Sequence, residues 1–95
     1  MTGSAKVTVY TSAFCPYCIW AKRLLAEKPN IELNEIRIDQ EPAQADIMVE
    51  RSGGRMTVPQ IFIGEHHIGG YDDMAALDRD GRLDPILKES AEADG

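Results

Sequence analysis

A chain of 95 residues has room for one domain, and 43% apolar residues are enough for it to fold alone. Its 16 acidic side chains outnumber 10 basic ones, giving a net charge of -6. That balance excludes the basic face needed to bind nucleic-acid phosphates or an anionic membrane surface, and serves solubility instead.

No apolar run approaches the roughly 20 residues of a membrane-spanning helix. The opening Met1-Thr2-Gly3-Ser4-Ala5-Lys6 lacks the apolar core of a signal peptide, so a reducing cytoplasm is the expected compartment.

Lys6-Val7-Thr8-Val9-Tyr10 alternates around β-branched residues and predicts a strand. Thr11 to Phe14 reads as a loop. Pro16 suits the first position of a helix, because the N–H it lacks would have no partner there. Ala21, Leu24 and Leu25 share a face at helical spacing, with Cys18 one turn earlier, and Pro29-Asn30 stops the helix. A second strand is expected over Ile31–Ile38, with Leu33, Ile36 and Ile38 as its apolar members. Pro42 reopens helical sequence to about Ser52, with a thin stripe of Ala45, Met48 and Val49, before Gly53-Gly54.

Val58 to Ile63 reads as a third strand with Pro59 at its start, since proline cannot donate to a ladder. Gly64-Glu65-His66 is a turn, and His67-Ile68 begins a short fourth strand that Gly69-Gly70 ends. Asp72 is the candidate N-cap of a helix running to about Arg79, closed by Gly81. Asp84-Pro85 opens a last short helix, and the small acidic tail Ala91–Gly95 is expected to fray. His66 and His67 read as solvent-facing. Trp20 lies off the main apolar face; it either covers the helix flank or joins Ile19 in an apolar patch for a protein substrate.

The order β-α-β-α-β-β-α plus a short helix predicts an α/β fold with a mixed four-stranded sheet and helices on both faces. The first two strands should be parallel and the last two an antiparallel hairpin. One domain over residues 1–95 is expected, with its core at about 6–88.

The chemistry centres on Cys15-Pro16-Tyr17-Cys18. These are the only two cysteines, and a bridge between them would close too short a loop to contribute much stability. A C-x-x-C between a strand and a helix is a redox signal. The helix N-terminus carries unpaired N–H groups and about half a positive charge, which lower the pKa of the Cys15 thiol. Cys18, inside the first turn, is the resolving thiol. A zinc site would need about four ligands, and adjacent strand residues His66 and His67 point to opposite faces.

Three blocks in this order resemble a glutaredoxin of the small bacterial dithiol type: Cys15-Pro16-Tyr17-Cys18, Thr57-Val58-Pro59-Gln60-Ile61-Phe62-Ile63-Gly64, and Ile68-Gly69-Gly70-Tyr71-Asp72-Asp73. The resemblance covers about Lys6 to Lys88. It implies a thioredoxin-like fold and reduction of protein disulfides and protein–glutathione mixed disulfides, with glutathione as co-substrate and no permanently bound cofactor. Ribonucleotide reductase and glutathionylated proteins are the substrates it suggests, and a monomer is the expected state. It further implies that Tyr17, Arg51, Thr57, Val58, Pro59, Gly70, Tyr71 and Asp72 bind glutathione, that Pro59 is cis against the Cys15 sulfur, and that Arg51 takes the glycine carboxylate.

Elementary chemistry supports parts of this groove. The main-chain groups of Val58, unpaired at a strand start, suit a peptide-like ligand. The N–H groups around Tyr71 and Asp72 suit a carboxylate, and Asp72 or Asp73 suits an ammonium group, the two charges of a γ-glutamyl end. Ser12 stands where many glutaredoxins carry a lysine, which leaves Arg55 and Lys22 as candidate replacements. Two other readings stay open on the sequence: a glutaredoxin-like electron donor reduced by thioredoxin reductase, and a dimer binding an iron–sulfur cluster through Cys15.

Overall fold

Strand alternation sorts the apolar residues onto two faces, and the helices follow. In the computed structural model, which describes residues 4–94, β1 (Ala5–Thr11) is central. It pairs in parallel with β2 (Ile31–Arg37) and antiparallel with β3 (Gln60–Ile63), which pairs antiparallel with β4 (His66–Gly69). The order is β2-β1-β3-β4, the mixed four-stranded sheet expected of a thioredoxin-like fold.

Ala5, Val7, Val9, Ile61 and Ile63 point to one face. There they meet Ala21 and Leu25 of α1 (Pro16–Ala26), Met74 of α3 (Tyr71–Arg79), and Leu83, Leu87 and Ala91 of α4 (Leu83–Asp94). Tyr10 and Phe62 point the other way and pack edge to face, with centroids 5.6 Å apart, against Met48 of α2 (Pro42–Arg51). The helices therefore cover both faces, three on one and α2 on the other.

Four local expectations are corrected. Val58 and Pro59 precede β3 rather than belonging to it, and the strand starts at Gln60, whose N–H a ladder can use. Leu33 is 38% exposed because it lies an odd number of residues from Ile36 and Ile38, which turn to the α2 side. Gly70, not Asp72, is the N-cap of α3, because its N–H is already taken by the Asp73 carboxylate at 2.9 Å. The last helix starts at Leu83 and is 12 residues long. Leu83, Leu87 and Ala91 repeat every four residues and are buried, so residues expected to fray are held by packing. Gly95 and Met1–Gly3 lie outside the described residues.

Lys28, just past α1, ties three helices together. Its ammonium pairs with Asp78 of α3 and with Asp84 of α4, and its side chain is only 14% exposed. The hydrogen bonds its ammonium donates to both carboxylates raise its pKa above the ordinary lysine value. No helix is long and apolar enough to cross a membrane among the described residues.

Candidate active site

The parallel crossover from β1 through α1 delivers the helix N-terminus to the end of the central strand. Cys15 is the N-cap of α1, with extended backbone, and Pro16 follows as the first helical residue. The Cys18 N–H donates to the Cys15 sulfur at 3.1 Å. Cys15 and Cys18 are joined in a disulfide, so this is the oxidised state of the pair. Cys15 is half-buried and Cys18 only 2% exposed, the asymmetry expected of an attacking and a resolving thiol. Phe14, directly before the pair, has a left-handed backbone (φ 57°) and a fully exposed ring. A bulky residue rarely adopts that conformation.

The Val58 carbonyl oxygen lies 3.9 Å from the Cys15 sulfur, and the Val58–Pro59 peptide bond is cis. Among the described residues neither the N–H nor the carbonyl of Val58 has a main-chain hydrogen-bond partner. Beside it a groove of about 360 Å³ is lined by Tyr17, Arg55, Thr57, Val58, Pro59, Gly70, Tyr71, Asp72 and Asp73. The folding of the chain thus brings together seven of the eight residues expected at a glutathione site.

Arg51 lies elsewhere. Its guanidinium sits 4.3 Å over the Phe62 ring and donates to the Tyr10 hydroxyl at 3.2 Å, outside the residues lining the groove. Arg55 is the cation inside it. Its Nη1 stands 3.4 Å from Asp73 Oδ2, the same oxygen that accepts from the Gly70 N–H. Asp73 is thereby committed to the protein itself. Asp72, exposed in the first turn of α3, has no ion-pair partner among the described residues. Lys22 is engaged away from the groove, bound to Glu35 at 3.0 Å.

Tyr17 and Tyr71 line the groove on the helix side, and Trp20 packs against both rings. Tyr17 meets Trp20 edge to face at 5.2 Å, and Tyr71 lies 6.2 Å from Tyr17 and 5.9 Å from Trp20. Trp20, one turn along α1 from Tyr17, joins the N-termini of α1 and α3 while staying 46% exposed. It therefore packs on neighbouring rings as well as facing solvent.

Two residues beneath the groove escaped the sequence reading. Gln60 is fully buried, and its amide donates to the Thr57 carbonyl at 3.0 Å and the Thr57 hydroxyl at 3.2 Å. His67 is half-buried rather than solvent-facing; its Nε2 lies 2.8 Å from Gln60 Oε1 and its ring 4.8 Å from that of Phe62. Burial, helped by the nearby Arg55 charge, lowers the His67 pKa below the ordinary 6.5. Period-two alternation on β3 offered the one signal, since it places Gln60 on the same face as Phe62. His66 is exposed.

A larger hollow of about 530 Å³ lies between the end of α1 and α4, among Lys28, Asn30, Leu87 and Ala91. It contains no cysteine and none of the expected site residues, so the chemistry belongs to the smaller groove. Among the described residues no three His, Cys, Asp or Glu side chains converge as a metal site requires.

Comparison with known proteins agrees with this geometry. The Glutaredoxin family model matches residues 7–68, which include both cysteines, Val58 and Pro59. The chain belongs to the glutaredoxin family.

Glutaredoxin 3 of Escherichia coli K12 is 52% identical over 84 residues, covering 88% of this chain and 99% of that protein. A glutaredoxin of Pseudomonas aeruginosa is 49% identical over 81 residues, 85% of this chain and 94% of its own. Among solved structures, a buckwheat glutaredoxin–glutathione complex superposes with a TM-score of 0.80 at 33% identity, covering 93% of this chain and 81% of that one. The glutaredoxin of Brucella melitensis gives 0.74 at 49% identity, covering 92% of this chain and 90% of its own. As a glutaredoxin with its Cys15–Cys18 pair intact, the chain is an enzyme, a glutathione-dependent thiol–disulfide oxidoreductase.

Proposed function

We propose that Cys15 is the attacking thiol, Cys18 the resolving thiol, and the groove from Tyr17 to Asp72 the seat of the glutathionyl group. The contact between the helix-capping Cys15 sulfur and the Val58 main chain carries this reading. A peptide-like ligand bonded through sulfur to Cys15 would run alongside Val58, whose N–H and carbonyl have no main-chain partner among the described residues and can pair with it.

In the one-thiol route the Cys15 thiolate attacks the glutathione sulfur of a protein–glutathione mixed disulfide. The protein sulfur leaves as a thiolate and takes a proton. A second glutathione thiolate then attacks the sulfur of the Cys15-bound glutathione, forming glutathione disulfide and returning Cys15 as a thiolate. In the two-thiol route Cys15 attacks a protein disulfide and Cys18 displaces the substrate. Two molecules of glutathione reduce the resulting Cys15–Cys18 bond.

Recognition follows from the charges. The N–H groups of Tyr71 and Asp72 at the start of α3 receive the γ-glutamyl carboxylate, and the Asp72 carboxylate takes the ammonium group. Arg55, which lines the groove, is the cation for the remaining carboxylate in preference to Arg51, whose guanidinium rests on Phe62 and Tyr10. Thr57 and Pro59 frame Val58, and Tyr17 and Tyr71 cover the ligand's flank.

Disulfide-bonded and glutathionylated proteins are the substrates, with ribonucleotide reductase among the candidates. The enzyme works as a monomer of one domain in the cytoplasm, and glutathione passes through as co-substrate rather than resident cofactor. Neither reduction by thioredoxin reductase nor a cluster-binding dimer is favoured. A steady-state assay on a glutathionylated peptide tests this: turnover with glutathione and glutathione reductase, and not with thioredoxin reductase and its thioredoxin, is expected. The reverse preference would overturn it.

A further inference from the structure

Thr57 lies in no strand or helix and is exposed, yet its carbonyl is held from below. The holding group is the Gln60 side chain, 0% exposed, with every polar atom satisfied. A carbonyl can only accept, so the Gln60 group facing Thr57 is its NH2 and the group facing His67 is its oxygen. His67 must then donate from Nε2, which fixes its tautomer. Its ring is in turn steadied by Phe62, across the β3–β4 ladder.

This chain of bonds acts on the groove through peptide geometry. The Thr57–Val58 peptide is trans, so the Thr57 carbonyl and the Val58 N–H lie in one plane and point in opposite directions. Drawing the carbonyl down toward buried Gln60 turns the Val58 N–H away from the protein interior, on the residue that lines the groove beside Cys15. We infer that Gln60 and His67 are positioning residues for the reaction: together they orient the Val58 N–H for the glutathionyl group. This rests on the proposed reading that Val58 pairs with glutathione. Neither residue touches the reacting sulfurs, so their loss should weaken binding and leave the thiol chemistry alone.

Gln60→Met, which keeps length but removes the amide, should raise KM for a glutathionylated peptide about five-fold with kcat unchanged, as expected when a buried hydrogen-bonded support is lost. Alkylation of Cys15 in the reduced protein should proceed at the wild-type rate. His67→Phe keeps the ring and removes the donor; it should raise KM in the same direction by about two- to three-fold. Because His67 acts through Gln60, the double variant should be no worse than Gln60→Met alone. All measurements are made below the melting transition of each variant; should Gln60→Met fail to fold, His67→Phe alone decides. A merely structural role would lower kcat and KM effects together with stability, or give additive losses, and either pattern overturns the inference. An unchanged KM in both single variants overturns it as well. The underlying reading is separated by amide NMR of Cys18→Ser, before and after Cys15 is converted to its glutathione mixed disulfide. A shifted Val58 amide with unchanged KM in the variants removes the positioning role and leaves the reading standing. An unshifted Val58 amide removes both.

Discussion

The Cys18 N–H lies 3.1 Å from the Cys15 sulfur, so the proposed nucleophile of this enzyme is also the cap of its own helix. The same N–H that satisfies a sulfur lone pair in the oxidised protein faces a full negative charge once the pair is reduced. A charge-assisted bond is stronger than a neutral one, and the helix terminus adds its own partial positive charge.

Reduced Cys15 should therefore titrate below an unperturbed thiol. The pH dependence of its alkylation rate, measured against Cys18→Ser to isolate one thiol, should give an apparent pKa below about 7.5. A value near 8.5, that of a free cysteine, would remove the helix-terminus argument.

Arg55 and Arg51 should separate in a substrate assay. Arg55 lines the groove, whereas the Arg51 guanidinium rests on Phe62 and Tyr10. Arg55→Ala should raise KM for a glutathionylated peptide about five-fold, equivalent to about 1 kcal/mol for a partly exposed charge contact, with kcat unchanged. Arg51→Ala should have the smaller effect on KM. Equal effects would place both cations on the ligand.

Acid should weaken the fold in two stages. His67 is held below its ordinary 6.5 chiefly by burial. Its unfolded form binds protons first, so its contribution is complete above pH 6.5 and is lost as pH falls toward the lowered folded value. Glu35 behaves similarly lower down. Burial pushes its pKa up, but the Thr11 hydroxyl at 2.7 Å and the Lys22 ammonium outweigh burial and hold it below 4.5. Its contribution is present above 4.5 and is lost as pH falls through its folded pKa. Urea midpoints measured from pH 7 to pH 3 should fall in both windows. In His67→Phe the decline below pH 6.5 should shrink, while that below 4.5 remains; an unchanged upper window would contradict the assignment.

Much of this was legible in the chain itself. Alternation in Val7 to Tyr10, the Pro16 and Pro42 helix starts and the Cys15–Cys18 spacing are local signals, and the elements they mark appear within a residue or two. What stayed hidden depends on groups brought together by the fold. Asp72 and Asp73 are interchangeable as local capping residues; only the extended Gly70 places its N–H against Asp73. His67 reads as a solvent-facing strand residue, whereas β4 sets its ring against Phe62 and its Nε2 against Gln60. Arg55 and Arg51 are both plausible cations on paper, and only the course of the chain from Ser52 to Val58 puts Arg55 at the groove. The length of α4 was missed because its last turns are polar, although Ala91 continues the stripe begun by Leu83 and Leu87.

The division of labour between the two thiols is tested most directly with Cys15→Ser and Cys18→Ser, each assayed with glutathione on a glutathionylated peptide and on a disulfide-bonded protein. Cys15→Ser should be inactive on both, because the thiolate at the helix start is the proposed attacking group. Cys18→Ser should keep most of its deglutathionylation, which needs one thiol, and lose most of its protein-disulfide reduction, which needs the resolving thiol. Equal loss of both activities in Cys18→Ser, or activity surviving in Cys15→Ser, would contradict the account.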